Sequence, residues 1–336
     1  MEYRSLGNTG LKVSALGLGG NNWGVFADEA ASLRTLKHAM EVGINFFDTA
    51  DHYSDGKSEE IIGKAIKGNR SQVIIATKVE EATGKGPNDR GTTRHHIMQE
   101  VERSLTRLQT DYIDLYQIHW PDRATPIEET LRTLDDLVRS GKVRYVGCSN
   151  FNAWQLCEAL FTSKMHNLNS FVTAQKLYNP LYRQIEAEFV PCCQAYNIGI
   201  ITYNPLAAGF LTGKYKKGES KPKDARLGAD NPVASFLFSD VATESNWDKL
   251  GKLEKFAEKH GRKVNELTIA WLVARSQVSS VIAGSTKPEQ VDANIKALDW
   301  KLTSQDMAEI DKICPAQIDK GGVLTGEDFA KALGGK

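Results

Sequence analysis

No stretch of this sequence stays apolar for long. Runs such as Val73 to Ala76 and Ile198 to Ile201 fall far short of the roughly 20 residues that span a bilayer, so no membrane helix is expected. Neither sign of charge is in excess: 42 Lys plus Arg against 42 Asp plus Glu over 336 residues leave a formal net charge of zero. A nucleic-acid binder draws much of its affinity from neutralising phosphates and shows a basic excess or block, so nucleic acid is not expected as a partner. Cysteine is scarce. The five residues, Cys148, Cys157, Cys192, Cys193 and Cys314, include no Cys-x-x-Cys and no Cys/His metal spacing, which excludes a recognisable metal site and reads as buried free thiols. Met1-Glu2-Tyr3-Arg4 has neither a basic start nor an apolar run after it, so secretion is not expected and the cytoplasm is the default location.

What the chain does have is the mixture of an ordinary folded globule: 41% apolar, 25% charged and 8% aromatic residues. Eight short apolar runs rich in β-branched residues alternate with helical periods. They are Val13–Gly19, Ile44–Asp48, Val73–Lys78, Tyr112–His119, Val143–Ser149, Phe171–Gln175, Ile198–Tyr203 and Val281–Gly284. Their near-continuous apolarity implies strands covered on both faces, as in a parallel sheet. Between them, Ile97, Val101, Leu105 and Leu108 form one helical stripe, and the segment from Asp28 to Gly43 carries Leu33, Leu36 and Met40 on another. Thr125-Pro126-Ile127-Glu128 reads as an N-cap, a first-turn proline and a capping-box glutamate, with Gly141 as the stop.

Eight strand-then-helix units predict an α/β fold, a (β/α)8 TIM barrel forming a single domain over residues 1–336. The runner-up, an open doubly wound sheet, wants Gly-x-Gly-x-x-Gly after the first strand, and Gly17-Leu18-Gly19-Gly20 does not supply it. Tyr3–Leu6 and Leu11–Val13 flank Gly7-Asn8-Thr9-Gly10, which predicts an N-terminal β-hairpin closing the bottom of the barrel. Two segments exceed ordinary loop length: the long loop from Pro205 to about Thr243, read as ligand-facing, and the C-terminal tail after Ile313, whose Glu327 to Leu333 stretch is amphipathic.

Chemistry in such a barrel gathers where strands run out into the loops that follow. Reading the strand ends in order gives Asp48, then Tyr53 in the next loop, then Lys78 and His119. A lysine at the end of an apolar strand needs a carboxylate to answer it, and Asp48 is the nearest by topology. Lys78 close to the Tyr53 hydroxyl would favour the phenolate and lower the tyrosine pKa from about 10, making Tyr53 a usable acid near neutrality.

The segment Asn45-Phe46-Phe47-Asp48-Thr49-Ala50-Asp51-His52-Tyr53, followed by Ser58-Glu59-Glu60-Ile61-Ile62-Gly63, resembles the signature of the aldo-keto reductase superfamily. The resemblance runs on through Asp111-Tyr112-Ile113-Asp114-Leu115-Tyr116 and Gly147-Cys148-Ser149-Asn150-Phe151 to Ala283-Gly284-Ser285-Thr286, and is nearest the bacterial and potassium channel β-subunit branch. It implies a catalytic tetrad of Asp48, Tyr53, Lys78 and His119, in which hydride passes from a nicotinamide to a carbonyl carbon while Tyr53 protonates the oxygen and His119 orients it. It further implies that Ser149, Asn150 and Gln175 hold the nicotinamide carboxamide and that Tyr203 stacks on its ring, with Gly20, Asn21 and Asp48 alongside. Asn204, Leu206, Ala207, Gly209, Lys214 and Arg226 would meet the pyrophosphate, and Gly284, Thr286, Gln290 and Asn294 the adenosine end. A helix N-terminus after Gly284 is an anion site, suited to an NADP 2′-phosphate with Thr286 and Gln290. Gln290 stands where many members carry arginine, and Ala293 where glutamate is expected, which leaves dual use with NAD open. Trp23, His52 and Trp120 would line the substrate mouth with Tyr53 and His119, and an apolar aromatic pocket suits aldehydes and small ketones.

Three readings follow. The first is an NADP-dependent carbonyl reductase acting on a small molecule, as a monomer or homo-oligomer. The second is a cofactor-binding, redox-sensing scaffold subunit with little turnover. The third makes Lys78 a Schiff-base lysine.

Overall fold

Eight short parallel strands close on themselves in the computed structural model, which describes residues 1–219 and 241–316. They are β3 (Leu16–Gly19), β4 (Phe46–Asp48), β5 (Ile74–Val79), β6 (Ile113–Ile118), β7 (Val143–Ser149), β8 (Thr173–Leu177), β9 (Gly199–Tyr203) and β10 (Val278–Gly284), with β10 pairing back onto β3. This is the (β/α)8 barrel. Helices cover its outside: α1 (Glu29–Glu41), α2 (Lys57–Ala65), α3 (Arg94–Leu108), α4 (Ile127–Arg139), α5 (Ala153–His166), α6 (Phe189–Ala195), α7 (Glu244–Lys259), α8 (Val264–Val273), α9 (Pro288–Ile295) and α10 (Ser304–Ile313). No helix among the described residues is long and apolar enough to cross a membrane.

The alternation of side chains along each strand decides what fills the barrel and what crowns it. Phe46, Ala76, Leu115, Ile201 and Ile282 point inward and pack with Leu6 and Val13 into a small interior cluster. Their neighbours Phe47, Ile75, Tyr116 and Ile200 point outward into the larger core under the helices. Gly17 makes room in the interior, since a Cβ there would lie 2.6 Å from Ile282 Cδ1. Two residues beyond the inward Phe46, Ala76, Leu115 and Ile201 come Asp48, Lys78, Gln117 and Tyr203, so strand periodicity carries these four to the layer above the interior cluster.

The hairpin is β1 (Tyr3–Ser5) with β2 (Lys12–Ser14), antiparallel. It sits at the N-terminal ends of the strands: Gly7 N donates to Ser279 Oγ at 3.2 Å, and a Cβ on Gly7 would lie 1.9 Å from Val172 O.

Several expectations are corrected in detail. The run Val13–Gly19 is two strands, because Ser14 Oγ turns back to Leu16 O at 2.7 Å and Val13 stays in the hairpin. The last strand begins at Val278, three residues earlier than Val281, across an irregular register between Val278 and Ser280. The capping box at α4 does not form: Pro126 occupies the N-cap, and the Thr125 hydroxyl donates to Asp122 Oδ2 at 2.7 Å instead. At α1 the cap is Asp28, whose side chain accepts from Ala31 N. All five cysteines are free, but Cys157 and Cys192 are half-buried rather than buried, with sulfurs 3.5 Å apart. Of the long loop, Ala207–Thr212 forms a short 3-10 segment, while Lys221, Lys223 and Arg226 lie outside the described residues, as does the tail from residue 317 with its Glu327 to Leu333 stretch.

Candidate active site

Three neighbouring strand ends, β4 to β6, and the loop after β4 deliver the predicted tetrad to one place. Lys78 is fully buried on β5, and its Nζ donates to Asp48 Oδ2 at 2.7 Å, to Thr49 O at 2.7 Å and to Tyr53 OH at 3.4 Å. Burial alone would depress the ammonium, but the Asp48 carboxylate and the Tyr53 oxygen outweigh it and hold the Lys78 pKa above its ordinary value. An ammonium has no lone pair for attack on a carbonyl, which counts against the Schiff-base reading.

His119 stands just past β6, buried, with ring centroids 5.8 Å from Tyr53 and 5.0 Å from His52. Burial, then the Lys78 charge and His52, push its pKa well below 6.5, so the ring is neutral at pH 7. A neutral imidazole can donate one hydrogen bond to a carbonyl oxygen without surrendering a proton.

The groups assigned to the nicotinamide lie on the next three strands and are knitted together. Tyr203 OH donates to Asn150 Oδ1 at 2.9 Å, and Asn150 Nδ2 donates to His119 O and to Ser149 Oγ, both at 3.1 Å. Asn150 holds this pose at φ +63, a left-handed conformation that asparagine tolerates. Burial and then Tyr53 push the Tyr203 phenol up to about 12. Gln175 donates to Asp48 Oδ1 at 2.7 Å.

Among the residues expected to meet the adenosine, Gln290 Oε1 accepts from Thr286 N at 2.8 Å and closes the loop into α9. Asn294 is buried. The β3 loop crosses here, since a Cβ on Gly284 would meet Asn22 Nδ2 at 2.5 Å and Asn21 Oδ1 at 3.9 Å. Gly20 N is tied to Asp48 O at 2.8 Å. Past β9 the backbone of Asn204, Ala207, Ala208 and Gly209 is left-handed at φ +53, +47, +56 and +88, with Leu206 opening the turn and Lys214 folded against Gly209. The Ser285 hydroxyl is buried and bonded to no described group, an orphan that a phosphate oxygen would satisfy. The residue set therefore fits a dinucleotide.

At the mouth, Trp120 is 44% exposed and stacks on His119 at 6.2 Å. Trp23 is corrected: it is fully buried and donates to Ser285 O at 3.2 Å, so it props the β10 loop and offers no surface to the mouth.

Sequence reasoning missed three groups. Gln117, inward on β6, donates to Asp48 Oδ1 at 3.3 Å; its place two residues before His119 on the same strand was the available signal. Asp51 is buried behind His52, with Oδ1 3.4 Å from His52 Nδ1. Glu80, two residues past Lys78, adopts φ +136, a strained conformation for a side chain. Burial and the Glu81 charge push it up to about 7 against the opposing pull of Arg90. Among the described residues no group of three His, Cys, Asp or Glu side chains is placed to hold a metal ion.

Comparison with known proteins gives the same address. The Aldo/keto reductase family model matches residues 15–315. The chain is 38% identical over 312 residues, 89% of its own length and 92% of the other's, to a probable voltage-gated potassium channel subunit beta of Oryza sativa subsp. japonica. It is 37% identical to the aldo-keto reductase YhdN of Bacillus subtilis, covering 93% of each chain. To the oxidoreductase YrpG of the same bacterium it is also 37% identical, over 94% of this chain and 96% of that one.

Proposed function

Because the chain belongs to the aldo/keto reductase family, we propose that it is an NADP-dependent oxidoreductase reducing aldehydes or ketones to alcohols, an alcohol dehydrogenase-type activity on CH-OH donors in reverse. The observation that carries this is the Lys78 ammonium, sealed between Asp48 and Thr49 O with the Tyr53 hydroxyl 3.4 Å away. A bound nicotinamide supplies hydride to the carbonyl carbon. Ser149, Asn150, Gln175 and Tyr203 hold its ring, and the Gly284 to Asn294 segment with the Asn204 to Lys214 turn holds the phosphates. Tyr53 gives its proton to the carbonyl oxygen, and Lys78 lowers the energy of the phenolate left behind. Asp48 keeps Lys78 charged. His119, neutral, fixes the oxygen by one hydrogen bond, and Trp120 and His52 form the rim on which an apolar aldehyde or ketone rests. The chain acts as one domain, as a monomer or homo-oligomer in the cytoplasm.

The test is Tyr53→Phe. Turnover of NADPH with a panel of aldehydes and ketones should be lost while NADPH still quenches tryptophan fluorescence as in the wild type. Full activity in the variant overturns the assignment. The 38% identity to a potassium channel subunit beta favours a second reading, a cofactor-binding redox-sensing subunit. Binding of NADPH with no turnover on any carbonyl of the panel would select it.

A further inference from the structure

We propose that His52, backed by the buried Asp51 carboxylate, is the relay that returns a proton from solvent to Tyr53 after each turnover. This rests on the reading of Tyr53 as proton donor. Reduction of a carbonyl by NADPH takes up one proton from solution, and if Tyr53 delivers it, the phenolate must be refilled before the next cycle.

The neighbouring groups are poor sources. Lys78 has no solvent exposure, and surrendering its proton would leave Asp48 facing a neutral amine. His119 is neutral at working pH and has no proton to spare. Tyr203 is held well above neutrality and spends its hydroxyl proton on Asn150. His52 differs from all three. Its side chain is 31% exposed, its ring lies 4.9 Å from that of Tyr53, and its Nδ1 lies 3.4 Å from Asp51 Oδ1.

Asp51 is the unusual partner in this pair. The residue is 2% exposed, and the groups that offset its burial belong to His52, whose ring and backbone face the carboxyl. Glu59 on α2, Glu100 and Arg107 on α3, Tyr116 on β6 and Glu80 past β5 share its electrostatic surroundings. Arg107 is committed to Glu59 at 2.6 Å, which leaves the His52 ring as the polar side chain nearest the Asp51 carboxyl. The Asp51 carboxyl beside Nδ1 orients the ring and leaves Nε2 as the position that exchanges with water. In the relay step the ring takes up a proton at Nε2, then the Nε2–H bond breaks and the Tyr53 O–H bond forms, directly or across one water. The proton comes from hydronium or a buffer acid, and no electrons move.

Single-turnover stopped flow tests this, with NADPH and 4-nitrobenzaldehyde in weak buffer containing a pH-indicator dye. NADPH absorbance reports hydride transfer and the dye reports proton uptake. In the wild type the two should keep pace. In His52→Gln, uptake should lag hydride transfer about tenfold or more, and added imidazole should close the gap. Asp51→Asn should produce a smaller lag. A merely structural role would not yield to imidazole. Uptake that keeps pace in both variants, or a lag that imidazole leaves unchanged, overturns the relay while the Tyr53 assignment stands. Wild-type hydride transfer in Tyr53→Phe overturns both.

Discussion

Asp48→Asn removes one charge from the best-buried ion pair among the described residues and leaves its shape almost intact. Lys78 is 0% exposed and Asp48 3%, and their charged atoms are 2.7 Å apart. Breaking such a pair from one side costs about 3–5 kcal/mol, because the surviving ion keeps its desolvation penalty. Lysine has an escape, which sets an upper bound. Giving up its proton at pH 7.4 costs an ordinary lysine about 4 kcal/mol, three pH units below its reference pKa. Retained bonds to Thr49 O and Tyr53 OH soften the loss, so we expect about 3–4 kcal/mol, or a fall in melting temperature of roughly 4–6 °C for a chain of this length. The assay is urea unfolding followed by circular dichroism at pH 7.4, on Asp48→Asn and on Asp48→Asn with Lys78→Met. Removing the stranded ammonium as well should recover at least half of the lost stability. A loss under about 1 kcal/mol in the single variant, or a double variant no better than the single, refutes the reasoning. The pair also ties stability to alkaline pH. Lys78 has its folded pKa raised, so its contribution is full below about pH 10.5 and is lost as pH rises through the higher folded value.

Three further outcomes follow from other parts of the molecule. His119 has its folded pKa depressed well below 6.5, so below about pH 6.5 the unfolded chain binds a proton that the folded one refuses, and stability falls by up to about 1.4 kcal/mol per unit. His119→Asn should flatten that acid limb in a pH series of urea midpoints. Gly7→Ala should destabilise by about 2 kcal/mol or more, since φ is +58 and the new Cβ would lie 1.9 Å from Val172 O; an unchanged urea midpoint would contradict the hairpin's seating. Fluorescence titration should find NADPH bound more tightly than NADH, and Gln290→Ala should narrow the difference, because Gln290 closes the Thr286 loop proposed to receive the 2′-phosphate.

Much of the fold is legible in one dimension because parallel barrel strands are buried on both faces and read as continuous apolar runs. The eight runs became eight barrel strands, yet the limits of the first and last shifted. A two-residue side-chain turn at Ser14 and an irregular register near Val278 are matters of hydrogen bonding, to which hydropathy is blind. The α4 cap failed for a related reason. Thr125 has a better acceptor in Asp122 than in its own helix, and that acceptor is supplied by loop geometry. The tetrad was legible because each member ends a strand or follows one closely. Gln117 was hidden inside an apolar strand, and Trp23 was assigned to the mouth by the family resemblance although the fold turns it inward.

By itself the sequence determined the class of the fold, the strand ends that carry chemistry and the resemblance that gives those ends roles. These depend on local order and periodicity, which are properties of the chain as written. Tertiary structure alone decided the charge states. The raised pKa of Lys78 and the neutral ring of His119 arise from burial and from partners 25 or more residues away. A sequence lists which groups can ionise, but the dielectric and the company each one keeps are set only when the barrel closes.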